Sequence, residues 1–108
     1  MSKKITDTAK VNTDALKALQ KKYVLNLFVT GILPNSARAV VNIKAICEKY
    51  LKGRYELEII DIYKQPDLAL KEDIIAVPLL IKKSPLPVQR MIGDLSNIEK
   101  VLKVLGLD

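Results

Sequence analysis

Residues 23–40, YVLNLFVTGILPNSARAV, read as a strand, a tight turn and the start of a helix. A dithiol oxidoreductase places its attacking thiolate on such a turn, where the positive end of the helix lowers the thiol pKa. Here the turn holds Leu33, Pro34, Asn35 and Ser36, and no sulfur. The one cysteine of the chain, Cys47, falls in the following helix on the stripe Val40, Ile43, Cys47 and Tyr50. Those positions recur at helical spacing, and an apolar site raises a thiol pKa, so Cys47 reads as a small core residue.

Other reaction centres are poorly supplied. Ser36 as a nucleophile needs an adjacent base, and with no histidine in the chain only a lysine or a carboxylate could serve. Capping the helix is the simpler role for it. The acidic group Asp67, Glu72 and Asp73 lacks rigid ligand spacing and an accompanying histidine, so it reads as a solvated helix face and not a metal site. No glycine-rich loop is present to cradle phosphates, which argues against nucleotide hydrolysis by this chain. The expectation is an interaction module that is not an enzyme and needs no cofactor. Arg38, on the polar side of its helix, and Arg90, in the VQRMIG segment, suit bidentate contact with carboxylates.

A chain of 108 residues suffices for one domain with a single core. The net charge of +6, from 18 basic against 12 acidic residues, favours acidic partners at long range. The basic residues are scattered and the aromatic ones few, one Phe, four Tyr and no Trp, which argues against a stacking platform for nucleic acid. Asn26 interrupts and Pro34 ends the longest apolar run, short of the roughly 20 residues that cross a bilayer. A lone cysteine and the absence of a cleavable apolar segment at the N-terminus make the cytoplasm the expected location.

Residues 1–22 form a lysine-rich polar extension, with a short helix expected after Thr13 or Asp14, and the domain runs over 23–108. Tyr23–Val29 is nearly continuous in apolar residues, as in a central strand covered on both faces. YELEIIDI, residues 55–62, begins with alternation that puts Glu56 and Glu58 on one face, so an edge strand is expected there after a helix stop at Gly53. Pro66 opens a short helix through about Lys71. In IIAVPLLI, residues 74–81, Pro78 stands at the start of a strand, where its missing N–H does least damage, and a cis Val77–Pro78 bond is open. VQRMIG, residues 88–93, reads as a further strand. Ser96 with Glu99 makes a capping box for a last helix, whose apolar face is Ile98, Val101, Leu102 and Leu105. The order strand, helix, strand, helix, strand, strand, helix predicts an α/β sandwich on a mixed sheet, the thioredoxin-like fold.

Three blocks then carry a family resemblance: YVLNLFVTGILPNSARAV, YELEIIDIYKQPDLALKEDIIAVPLLIKK and PLPVQRMIGDLSNIEKVL. In this order, from Tyr23 to about Leu102, they resemble the KaiB family of bacterial circadian clock proteins. The resemblance implies a non-enzymatic regulator that binds a KaiC-type ATPase ring and modulates its phosphorylation or signalling output. A KaiA-like protein or a sensor histidine kinase would be involved only indirectly. It also implies a metamorphic chain, whose second state reassigns helix and strand from about Asp61 onward and assembles as dimers or tetramers.

By the same resemblance, Arg38, Tyr55, Glu56 and Glu58 are expected to meet the partner. Pro34, Asn35, Ser36, Pro78, Gly93, Asp94 and Val104 are expected to determine the fold. Glu58 replaces a lysine and Glu56 an alanine of the cyanobacterial pattern, which puts negative charge on a docking surface. Val104 stands at a family glycine, and a residue with a Cβ is penalised where the backbone needs positive φ. The thioredoxin-like state is accordingly expected to be less disfavoured than in the cyanobacterial relatives. Three other readings stand beside this one. A clock-associated kinase sensor domain is expected to continue past Asp108, a thioredoxin-type enzyme needs the absent dithiol, and an adaptor in a stress response is not separated by sequence.

Overall fold

The computed structural model describes residues 22–31 and 33–107, and the expected helix after Thr13 or Asp14 lies outside them. Strand β1 (Tyr23–Val29) leads into helix α1 (Pro34–Tyr50), then strand β2 (Tyr55–Asp61) and the short helix α2 (Pro66–Lys71). Strands β3 (Leu79–Ser84) and β4 (Gln89–Ile92) follow, and helix α3 (Ile98–Leu105) closes the order. The sheet order is β2-β1-β3-β4. β1 pairs parallel to β2, with Tyr23 opposite Tyr55, and antiparallel to β3, with Phe28 opposite Leu79; β4 is antiparallel to β3. This is the expected mixed sheet, and β2 is an edge as the alternation predicts, with Glu56 and Glu58 both exposed.

Alternation along β1 feeds two cores. Tyr23, Leu25, Leu27 and Val29 face α1 and α3, where Ile43, Ile46, Cys47, Val101 and Leu105 meet them. Phe28 points the other way, into a smaller cluster with Ile60, Leu79 and Ile81, covered by Leu68 of α2 and by Ile62, Ile74 and Val77. The ring of Tyr23 is buried among apolar neighbours, and its hydroxyl donates to the Leu105 carbonyl at 3.0 Å, tying the first strand to the last helix.

Cys47 is fully buried, as its stripe requires, and burial pushes its thiol up to about 11, with Glu48 adding to the shift. The sign follows directly. A raised pKa means that this group's contribution to stability is complete below the ordinary value of 9.0 and is lost as pH rises toward 11. Iodoacetamide at pH 8 is expected to modify urea-unfolded protein at least about 100-fold faster than native protein, since only the thiolate attacks. Comparable rates would put Cys47 at the surface.

Several local expectations are corrected. Helix α1 begins at Pro34, so Pro34, Asn35 and Ser36 are its first turn and not a separate turn ahead of it. Leu33 is the N-cap without a capping side chain, and Ser36 is no cap: its buried Oγ accepts from the Thr30 N–H at 3.1 Å, fastening the helix start to the end of β1. The cap of α3 is Asn97, whose side chain accepts from Lys100 N at 3.2 Å, displacing the Ser96–Glu99 box by one residue. The expected strand over 88–93 shortens to β4. Val104 is helical within α3, and the left-handed residue that ends the helix is Gly106, at φ 76°, so no Cβ is penalised at Val104 in this fold. The Val77–Pro78 bond is cis, directly ahead of β3.

The acidic group near α2 is also not simply solvated. Glu72 pairs with Lys83 on β3, and Arg90 on β4 donates to the Glu72 carbonyl at 2.6 Å with its carboxylate 3.7 Å away. These contacts hold the end of α2 against the sheet. Among the described residues no group of histidines, cysteines or carboxylates is arranged to hold a metal ion.

Candidate functional site: an apolar end of the sheet

The carboxyl ends of β1, β2 and β4 and the start of β3 share one end of the sheet. Four segments therefore converge there: residues 30–36 entering α1, residues 62–63 after β2, residues 72–78 before β3, and residues 92–95 after β4. In open α/β sheets such an end is where ligands are usually received. Gly31 allows a close approach to Asp61: a Cβ on it would lie 3.0 Å from Asp61 Oδ2, so the carboxylate would have to give by a few tenths of an ångström.

Asn35, Arg38 and Asp94, expected at different roles, are brought together. Arg38 Nε donates to Asp94 Oδ2 at 3.2 Å and its Nη2 donates to the Asn35 side chain. Asn42 donates to the Asp94 carbonyl at 2.8 Å, and Asp94 Oδ1 accepts from Ser96 N at 3.0 Å. The hydrogen bonds from Ser96, and then that from Arg38, hold the Asp94 carboxyl below the usual carboxylate range, so the cluster carries its full charge at neutral pH. Gly93 at φ 125° and the buried Leu95 at φ 64° bracket this aspartate. Such backbone is costly for Leu95, and the Asp94 turn with Leu95 burial offsets the cost.

Beside this polar cluster the surface turns apolar. Ile75 is 89% exposed and Tyr63 75%, with Leu33 and Ile92 also open to solvent. A cleft of about 300 Å³ runs between Leu33, Tyr63 and Val77, and a second of about 580 Å³ lies between Asp73, Arg90 and Ile92; Ile75 and Ala76 line both. Large apolar side chains gathered in the open, rimmed by charge, mark a binding surface more than a packing accident. The sequence hides them. Ile75 sits in the apolar run just ahead of Pro78, whose hydropathy alone suggests burial, whereas the chain there bends and leaves the side chain exposed.

The remaining expected contacts lie elsewhere. Tyr55, Glu56 and Glu58 stand on β2, where the Tyr55 hydroxyl donates to Glu48 Oε2 at 2.8 Å and Glu56 meets Lys22 at 2.8 Å. The bond to Glu48 raises the Tyr55 pKa. Arg38 and Glu48 are ten residues apart on α1, roughly 15 Å along its axis, so the structure does not gather Arg38 with the three β2 residues. A third cleft of about 500 Å³ lies at that opposite end, before β1 and β2 begin, and among the described residues it is lined by Lys22, Lys52, Gly53 and Arg54.

With sulfur absent from the helix start and Cys47 buried, this end has the shape of a thiol site and none of its chemistry. No helix among the described residues is long and apolar enough to cross a membrane. Comparison with known proteins agrees with the fold and sharpens it. The germline-specific thioredoxin Deadhead of Drosophila melanogaster superposes with a TM-score of 0.66 over 88% of this chain and 89% of its own, at 14% identity, which speaks to fold alone. The N-terminal domain of SasA from Synechococcus elongatus superposes at 0.65, with 25% identity, covering 82% of this chain and 87% of that one. In sequence, the circadian clock oscillator protein KaiB of Thermosynechococcus vestitus is 53% identical over 90 residues, 83% of this chain and 82% of that protein. KaiB of Prochlorococcus marinus strain MIT 9515 is 52% identical over 91 residues, 84% of this chain and 82% of its own. The model of the KaiB domain matches residues 26–107, and the chain belongs to the KaiB family of circadian clock proteins.

Proposed function

We propose that this protein is a non-enzymatic regulator that docks on a KaiC-type ATPase ring through the apolar end of its sheet and modulates the phosphorylation or signalling output of the ring. The observation that carries the reading is the sulfur-free start of α1 set beside the exposed Ile75 and Tyr63. A thioredoxin-like scaffold without a thiolate has a docking surface left and no reaction to perform on it. Family membership supplies the partner class.

Arg38 is the polar anchor of this surface, with Asp94 and Asn35 fixing its guanidinium. Tyr55, Glu56 and Glu58 are a separate contact on the β2 edge, where Glu56 and Glu58 alternate with Tyr55 onto the sheet face away from α1. Arg38→Glu sets a carboxylate against Asp94 and reverses the charge at the rim, so binding to the purified cognate ATPase should fall at least tenfold, about 1.4 kcal/mol. Unchanged affinity would remove Arg38 from the docking surface.

The reading is tested by immobilising the full chain and presenting purified cognate KaiC-type ATPase with and without ATP. Saturable retention is the expected result. Its absence under both conditions favours the alternative, a thioredoxin-like adaptor in a stress response uncoupled from any clock.

A further inference from the structure

The start of α1 is left open to an anion. Pro34 occupies the first helical position, Leu33 offers no capping oxygen, and the first turn contains no acidic residue. The N–H groups of Asn35 and Ser36 have no backbone partner among the described residues. The aligned peptide dipoles add about half a positive charge at this helix end. An independent observation points to the same spot. Thr30 is 4% exposed, and its Oγ1 is a buried side-chain atom with no hydrogen-bond partner. The Thr30 N–H donates to Ser36 Oγ at 3.1 Å, which sets Thr30 beside the first turn of α1, and Thr30 lines the 300 Å³ cleft with Leu33 and Tyr63. A buried hydroxyl without a partner is costly, and an incoming acceptor removes that cost.

We propose that this cleft receives a carboxylate borne on an apolar segment of the protein partner, an aspartate or glutamate flanked by aliphatic side chains. Thr30 Oγ–H and the amides of Asn35 and Ser36 donate to its oxygens, and Leu33, Tyr63 and Ile75 take the flanking aliphatic groups. A free phosphate leaves those apolar walls uncovered, which is why a peptide carboxylate is the better fit. Asp61, across Gly31, accepts from Tyr63 N at 2.9 Å, which fixes its Oδ1 on the chain after β2. The proposal rests on the docking reading above, and its test does not use the ATPase.

The blocked tripeptide leucyl-aspartyl-leucine and its asparaginyl counterpart are titrated into full-length ¹⁵N-labelled protein. The aspartyl peptide should shift the Asn35 and Ser36 amide resonances saturably below about 10 mM, and the asparaginyl peptide should bind roughly fivefold or more weakly. Thr30→Val should weaken the aspartyl peptide by roughly fivefold while its thermal midpoint is held or raised, and Thr30→Ser should retain binding. Equal affinity for the two peptides, shifts confined to other residues, no saturation, or an unaffected Thr30→Val overturns the proposal. If the peptides fail while the purified ATPase still binds, the carboxylate is wrong and the docking reading stands. If both fail, the docking reading falls with it.

Discussion

With the apolar end as the docking surface, Ile75→Asp should lower affinity for the cognate KaiC-type ATPase by at least about 30-fold, roughly 2 kcal/mol, and leave the thermal midpoint within about 3 °C of wild type. Ile75 is 89% exposed, so its side chain contributes almost nothing to the core and its replacement removes no packing. It nevertheless lines both clefts at the apolar end, which puts it at the centre of the surface a partner would desolvate. A buried hot spot at the centre of an interface carries an outsized share of binding energy, and a charge placed there must be desolvated without a partner. Titration calorimetry with a parallel melting curve checks it. A variant that melts normally and binds normally would show that the apolar end faces water in the complex as well.

Phe28→Ala is the contrasting case, since it removes a side chain of the same chemical class from inside the fold. Phe28 is fully buried against Ile60, Leu79 and Ile81, on the face of the sheet opposite α1 and α3. The cluster is small, and the elements that cover it are α2 and the loop that carries Ile75. Truncation to alanine should cost about 3–5 kcal/mol, a third or more of the stability of a domain of this size. Urea denaturation should show this as a lowered midpoint with an unchanged slope. A loss below about 1 kcal/mol would mean that the second core contributes little and that the sheet stands on its α1–α3 side alone.

How much of this was legible depends on whether the deciding contact is local. The element order, the edge position of β2 and the burial of Cys47 follow from periodicities that the structure keeps. Helix starts were less legible because two candidates compete within a few residues. Ser36 looks like a cap, but its hydroxyl is drawn to Thr30 N, six residues back, and Pro34 opens the helix instead. Asn97 caps instead of Ser96, because Asp94 engages the Ser96 side chain as well as its amide. The family pattern puts a glycine at Val104, but α3 continues for one more residue before Gly106 turns it. The site itself was half visible. Asn35, Arg38 and Asp94 each carry a signal in the sequence, yet only folding shows that residues 56 positions apart form one cluster. Thr30 and Ile75 carried no signal at all, since an orphan hydroxyl and an outward-turned isoleucine are properties of the assembled end of the sheet.

On the docking reading, this fold has exchanged thiol chemistry for docking at the same end of the sheet. The most direct measurement is a calorimetric titration of the wild-type full chain and of Ile75→Asp into purified cognate KaiC-type ATPase in the presence of ATP, with insulin reduction followed on the same preparations. The account predicts saturable binding by the wild type, its loss in the variant, and no insulin reduction by either. Catalysed insulin reduction, or binding that ignores residue 75, would contradict it.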